Sequence, residues 1–229
     1  MRRRAVILGA LLAALAAAAV PGSASAAGEC NGVPRCIPVE GPWVAVPANG
    51  EAKFMLQCPQ GRGIIAGTDA QATSQDVRAT FDAILGAPVA LGRSTSTSAL
   101  FRAVSAHHHP GLFKPFIGCI PAPTAVRNTI ATKATPLGAP LDLRAVTLKL
   151  TPGFQRTVTL ACPNGESLVD SWNATAFGSA APPSPALASA VTVKSRIVKG
   201  QARLTIFASE ALPRGAQAQL QIGVRCATG

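Results

Sequence analysis

Three adjacent histidines, His107, His108 and His109, form the one cluster of metal-type ligands apart from cysteines, and they are all the histidines of the chain. Neutral imidazoles suit copper, zinc or nickel. Adjacent residues of a strand point to opposite faces, so only a bent loop would bring two of these rings together. Two interpretations stay open, an ordinary surface loop and a weak metal site, and no resident cofactor is expected.

Cysteines are the second group with possible chemistry, and their number is even. They are Cys30, Cys36, Cys58, Cys119, Cys162 and Cys226. In an exported chain six cysteines indicate three disulfides rather than thiolate nucleophiles.

Motifs of catalysis are missing from the sequence. No serine lies in a Gly-x-Ser-x-Gly elbow, and Gly61-Arg62-Gly63 lacks the strand and helix that a phosphate-binding loop needs. Ten acidic residues could supply a carboxylate pair in space, but no spacing singles out one pair. We therefore expect a protein that is not an enzyme.

The amino-terminal residues have the order of a secretory signal peptide. Arg2, Arg3 and Arg4 precede an apolar stretch at 5–20, and Ala24-Ser25-Ala26 offers a cleavage site. The stretch is shorter than the roughly 18 to 20 residues of a membrane span. A lipid anchor on Cys30 and a twin-arginine signal are less favoured alternatives. We predict a signal peptide at 1–26 and a secreted, extracellular protein without a membrane span.

The charge of the chain is strongly basic. The formal net charge is +11, and loss of the three leader arginines leaves about +8. The remaining cations are spread without a run, which usually indicates solvated surfaces. They could still attract an acidic polymer outside the cell. Specific nucleic-acid binding is not expected, because eight Phe, two Trp and no Tyr leave few stacking platforms.

An internal repeat organises the chain. Cys58-Pro59-Gln60-Gly61 aligns with Cys162-Pro163-Asn164-Gly165, and the flanking apolar patterns fall into step without a gap, Ile64 and Ile65 then aligning with Leu168 and Val169. Upstream of each block, period-two alternation interrupted by Pro, Gly and Asn residues predicts a strand, a turn and a strand. The halves are predicted to be one duplicated domain.

The repeat also predicts the disulfide pairing. A second cysteine-bearing strand follows each block after about sixty residues, so we pair Cys58 with Cys119 and Cys162 with Cys226. Cys30 then pairs with Cys36 by elimination.

Further strands are predicted at 77–81, 99–104, 190–198 and 202–207. Lys199-Gly200 forms the turn of a hairpin between the last two strands. Residues 75–85 have the pattern closest to a helix, but no stretch sustains a helical period, so the predicted fold class is all-β.

Two strands bridged by cysteines in units of this size resemble immunoglobulin-like β-sandwiches. Trp172, ten residues after Cys162, resembles the tryptophan that packs on the bridge between the sheets in that fold. The Cys-Pro-x-Gly blocks resemble repeats in uncharacterised exported proteins of high-GC Gram-positive bacteria. The resemblance implies a sandwich fold and no particular activity.

The expected organisation is two tandem, disulfide-stapled β-sandwich domains behind the signal peptide. The first domain covers 27–122, a Pro-rich linker covers 123–140, and the second domain covers 141–229. We expect a secreted, non-enzymatic structural or recognition protein of adhesion type at the bacterial exterior. The alternatives are a metal or polyanion binder, and a secreted hydrolase or hydrolase inhibitor. The partner would be extracellular, either an acidic polymer or another protein.

Overall fold

The computed structural model describes residues 28–59, 63–81, 88–90, 93–94, 98–106, 108–121, 141–213 and 215–228. The predicted signal peptide at 1–26 and the predicted linker at 123–140 lie outside these residues. The described chain consists mostly of β-strands, with one 3-10 turn and one short helix. The all-β prediction is therefore confirmed.

Fifteen strands are described, with a 3-10 turn at Gly28–Cys30 before them and helix α1 at Pro185–Ser189. The strands are β1 Ile37–Glu40, β2 Trp43–Val46, β3 Glu51–Gln57, β4 Gly63–Ala72, β5 Val77–Phe81, β6 Pro88–Ala90, β7 Arg93–Ser94, β8 Ser98–Ser105, β9 Gly111–Pro121, β10 Leu141–Lys149, β11 Gln155–Ala161, β12 Glu166–Phe177, β13 Val191–Val198, β14 Gln201–Ala208 and β15 Ala218–Thr228.

A seven-stranded antiparallel sheet runs through both halves of the chain. Strand β9 pairs with β4 along one edge and with β1 and β2, placed end to end, along the other. Strand β15 pairs with β12 and β10. The two groups of strands join where β2 pairs with β12, so this central sheet is continuous across the molecule.

The two halves meet at two residue pairs, Val44 with Ala176 and Trp43 with Phe177. All four side chains are buried. Val44 and Ala176 lie in the core of the first half, whereas Phe177, the next residue of β12, lies in the core of the second half. Because successive side chains of a strand point to opposite faces, the two cores lie on opposite faces of the central sheet.

Two three-stranded sheets cover these cores. The sheet of β3, β8 and β5 supplies Phe54 and Phe101 to the first core, and the sheet of β11, β14 and β13 supplies Leu204 and Ile206 to the second. Strand β14 alternates buried and exposed residues along its whole length. This alternation leaves the other face of the second small sheet to solvent.

The three disulfides have the pairing that the sequence predicts: Cys30–Cys36, Cys58–Cys119 and Cys162–Cys226. Cys58 follows β3 and Cys119 lies in β9, so this bridge joins the first small sheet to the central sheet. Cys162 and Cys226 do the same for the second half. Each of these two bridges closes a loop long enough to contribute on the order of 4 kcal/mol in the chain-entropy model.

Trp172 does not lie where the immunoglobulin resemblance places it. A β-bulge between Leu168 and Asp170 inserts one extra residue into β12. Leu168 pairs with Cys226, but the bulge changes the parity, and Trp172 pairs with Gly223 on the opposite face of the sheet. The indole occupies the space in which a Cβ of residue 223 would stand. The expectation that Trp172 packs on the disulfide is therefore wrong.

The same bulge corrects the ungapped alignment of the halves. In the first half Ile65 pairs with Cys119, as Leu168 pairs with Cys226 in the second, and each bulge follows directly. Structurally Ile65 thus corresponds to Leu168, whereas the sequence alignment placed it on Val169. One residue more lies between Cys58 and the bulge than between Cys162 and its bulge.

The N-terminal turn lies on the face of the central sheet opposite the first core. Gly67 and Gly118 pair across β4 and β9, and the carbonyl oxygen of Glu29 lies against both glycines. A side chain on either residue would collide with this carbonyl. The Gly28 N–H donates to Asp69 at 2.9 Å, which holds the turn in place.

The small sheet of the first half also contacts the second half. The Met55 N–H donates to Gln221 Oε1 at 2.6 Å, and Gln221 Nε2 donates to the Met55 carbonyl at 2.9 Å. Lys53 forms an ion pair with Asp170 at 2.7 Å. The Gln221 amide thus forms hydrogen bonds with the N–H and the carbonyl of Met55 at the outer edge of β3. Another strand could otherwise pair with these backbone groups.

Replacement of Gln221 should remove its two hydrogen bonds with Met55. In Gln221→Ala the Met55 N–H and carbonyl lose their buried partner, which should lower the free energy of unfolding by about 1–3 kcal/mol. Urea unfolding of both proteins measures the difference. Gln219→Ala, two residues earlier on the same face of β15, is the control and should change stability by less than about 0.5 kcal/mol. Equal losses in the two variants would contradict a specific role for the Gln221 amide.

Candidate functional site

The solvent-exposed side of the β11, β14 and β13 sheet is a regular surface on which exposed residues of all three strands lie side by side. Cross-strand pairing arranges twelve exposed side chains in four rows of three, which we call the outer face. In the order β13, β14, β11 the rows are Thr192, Phe207, Gln155; Lys194, Thr205, Thr157; Arg196, Arg203, Thr159; and Val198, Gln201, Ala161.

Local sequence fixes this arrangement. Lys199 and Gly200 both have positive φ, as a tight two-residue hairpin turn requires. The turn places Val198 opposite Gln201 and so sets the register of the whole hairpin. On the inner side of β14, Ala202, Leu204, Ile206 and Ala208 are at most 1 % exposed, so the odd-numbered residues point to solvent.

The charge of the outer face is positive. Arg196 and Arg203 stand directly opposite each other across β13 and β14, and Lys194 lies in the next row. No acidic residue occurs anywhere in the hairpin at 191–208. Within the described part of the chain no carboxylate forms an ion pair with any of these three cations.

The uncharged residues of the outer face carry hydroxyls, amides, one aromatic ring and, at Val198 and Ala161, aliphatic groups. Phe207 is 49 % exposed and lies between Thr192 and Gln155. The Thr157 and Thr205 hydroxyls contact each other across the strands at 3.5 Å. The face therefore offers cations, hydrogen-bonding groups and a ring surface on one side of the sheet.

A groove of about 550 Å³ lies at the junction of the two halves. Its walls come from the turn between β2 and β3, from β12 and from the residues around α1. Small residues such as Ala48 and Ala174 leave the space open, and Glu51, Asn173 and Thr175 are its main polar groups.

Charged side chains beside this groove neutralise one another. Arg102 donates to Glu51 at 2.6 and 2.8 Å, and Lys53 lies 3.5 Å from the same carboxylate. The hydrogen bond from Arg102 is the main cause that lowers the pKa of the Glu51 carboxyl below its usual value, against the opposing effect of burial. Lys53 also pairs with Asp170, so the network links the two halves and leaves little net charge for a ligand.

A buried cation, Lys114, lies near the contact between the halves. Lys114 is 5 % exposed, its ammonium lies 5.3 Å from the centre of the Trp43 ring, and it pairs with Glu40. Burial lowers the pKa of Lys114. With one carboxylate and one ring as partners, this lysine fixes Trp43 at the β2–β12 contact.

The structure describes part of the histidine cluster predicted from sequence. His107 lies outside the described residues, and His108 Nδ1 lies 3.1 Å from the Asn49 amide. The His109 carbonyl accepts a hydrogen bond from Ser105. Among the residues that can be described, no group of three histidine, cysteine or acidic side chains could hold a metal ion. All six cysteines are in disulfides.

Sequence reasoning missed the opposed arginines although their signal was present. In a hairpin with a two-residue turn, residues at equal distances before and after the turn pair with each other. With Lys199-Gly200 as the turn, Arg196 pairs with Arg203. What the sequence could not provide was the exposure of this face of the sheet.

No protein-family model, curated protein or solved structure matches the chain. In the described part of the chain no helix has the length and apolar character needed to cross a membrane.

The lowered pKa of Glu51 predicts a pH-dependent contribution to stability. The charged carboxylate stabilises the fold above its ordinary pKa of 4.5, and this contribution disappears as the pH falls through the lowered folded-state pKa. Glu51→Gln should therefore be slightly less stable than the parent protein at pH 7, and the difference should disappear as the pH falls below the lowered pKa of Glu51. Urea unfolding across this range measures the difference. The exposed Glu210 gives the control variant Glu210→Gln, and a Glu51→Gln deficit that persists in acid would contradict the assignment.

Proposed function

We propose that this chain is an extracellular recognition protein that acts by binding and not by catalysis, and that its outer face binds an acidic polymer. Three disulfides are compatible with an extracellular location. The sandwich-like layers support one exposed sheet face. Acidic glycans, teichoic acids and other polyanions share the chemistry that such a surface would attract.

The observation that carries the proposal is the pair of arginines opposed across the hairpin. Like charges directly opposite each other in a sheet destabilise it, and no acid of the hairpin offsets the repulsion. Where a sequence breaks such a local rule without compensation, a function is the first explanation to test. An anion bound between Arg196 and Arg203 would remove the repulsion.

The geometry of the sheet suits a ligand with repeated charges. Neighbouring strands lie about 4.8 Å apart, and alternate residues along a strand are about 7 Å apart. Lys194, Arg196 and Arg203 therefore form a compact triangle on one face of the sheet. A polymer with closely spaced anionic groups could contact all three cations at once.

We also infer the finer organisation behind this function. A signal peptide at 1–26 would export the chain, and the halves at 27–122 and 141–229 would be copies of one immunoglobulin-like unit. The matching bulges after Ile65 and Leu168 and the matching disulfides support a duplication. In the first half Lys53 and Arg102 also stand opposite each other, but Glu51 pairs with both. In this account only the second copy presents opposed cations without an acid between them.

Removal of the three cations tests the proposal. In the triple variant Lys194→Gln, Arg196→Gln and Arg203→Gln, affinity for heparin should fall on the order of a hundredfold, because each cation near an anionic surface contributes about 1 kcal/mol. Titration calorimetry at several salt concentrations measures the affinity and its salt dependence, which should become weaker in the variant.

The matched control removes the same charge from other exposed positions, with Arg35, Arg78 and Lys149 each changed to Gln. Heparin affinity of this control should stay close to that of the parent protein. If both triple variants lose affinity equally, the attraction comes from net charge alone and the outer face has no special role. If the parent protein binds no polyanion, the proposed function is wrong.

A further inference from the structure

We infer that the acidic polymer is a polysaccharide and that Phe207 is the platform on which one sugar ring stacks. This inference rests on the proposed function, because it uses the same outer face. It adds a class of ligand and a residue that selects it.

Phe207 is placed for contact with a ligand and not for packing. It stands on the solvent side of β14, between Ala208 and Ile206, which are both fully buried. Its cross-strand neighbours are the polar side chains Thr192 and Gln155. About half of the phenyl surface is therefore open to solvent in the middle strand of the sheet.

The chemistry around Phe207 fits a sugar. A sugar ring has an apolar face of C–H groups and a rim of hydroxyls. The face of a phenyl ring is apolar and weakly negative and packs against C–H groups. Thr192, Thr205 and Gln155 surround the ring with hydroxyl and amide groups that both donate and accept hydrogen bonds.

The cations complete the recognition of an acidic chain. Arg203 lies four residues from Phe207 on the same strand, which is about 13 Å in an extended strand. Lys194 and Arg196 lie beside the path between them. A glycan placed along β14 would thus stack one unit on Phe207 while its carboxylates or sulfates reach the cations.

Other polyanions fit this array less well. Polyphosphate has no ring to stack and would use the cations alone. A single-stranded nucleic acid uses several aromatic platforms for successive bases, and the twelve residues of the outer face include one aromatic. Phe207 therefore distinguishes a glycan from these alternatives.

The test compares ligands and variants. Phe207→Thr keeps a residue that favours strands and should lower affinity for a heparin-derived octasaccharide about tenfold. Its affinity for polyphosphate of similar charge should change less than about twofold, because only the cations contact that ligand. Calorimetry measures both, and thermal unfolding confirms that each variant is folded.

Ile197→Thr is the matched control, since it removes a side chain that is 62 % exposed on the same hairpin but lies on the other side of β13. It should bind both ligands like the parent protein. An equal loss for both ligands in Phe207→Thr, or no loss for either, would overturn the inference.

The two proposals fail in different ways. If the parent protein binds both ligands through the three cations and Phe207→Thr is without effect, the proposed function stands and the glycan inference fails. If neither ligand binds, the proposed function fails as well. Tighter binding of an oligo-thymidine that depends on Phe207 would replace the glycan with a single-stranded nucleic acid.

Discussion

Strand pairing between β2 and β12 is the contact on which the arrangement of this molecule depends. Two residue pairs, Val44 with Ala176 and Trp43 with Phe177, make one sheet out of strands from both halves. Burial of Trp43 and Phe177 favours this pairing, and the Lys114 ammonium lies over the Trp43 ring. Because Ala176 and Phe177 are consecutive in a strand, the two hydrophobic cores must lie on opposite faces of that sheet.

The position of the two cores on opposite faces of the central sheet determines which surfaces remain exposed. Each small sheet covers its own core from a different side, and contacts such as Gln221 with Met55 and Lys53 with Asp170 close the edge of the first small sheet against the second half. The outer side of the β11, β14 and β13 sheet remains open. Buried and exposed residues alternate along β14, so every second residue points outwards and contributes to an array of cations, hydroxyls and one phenyl ring.

The fold was predictable from sequence to the level of strands and bridges. Cysteine number and spacing gave the three disulfides, and Lys199-Gly200 gave the hairpin turn. Period-two patterns do not determine which strand edges pair, so the shared sheet was not foreseen. The bulge before Asp170 places Trp172 on the side of the sheet opposite to the expected one. The apolar pattern did not predict this, because one extra residue leaves no signature in it. The histidine run is visible from residue type alone, whereas the opposition of Arg196 and Arg203 depends on the register of the hairpin.

The central claim is that the outer face of the second half binds an acidic polymer, and mapping the contact residue by residue tests it most directly. We would record backbone amide chemical shifts of the folded protein during titration with a heparin-derived octasaccharide. The account predicts that the largest changes lie in β13 and β14, around Lys194, Arg196, Arg203 and Phe207. Changes concentrated at the junction groove or around His108, with the hairpin unaffected, would contradict it.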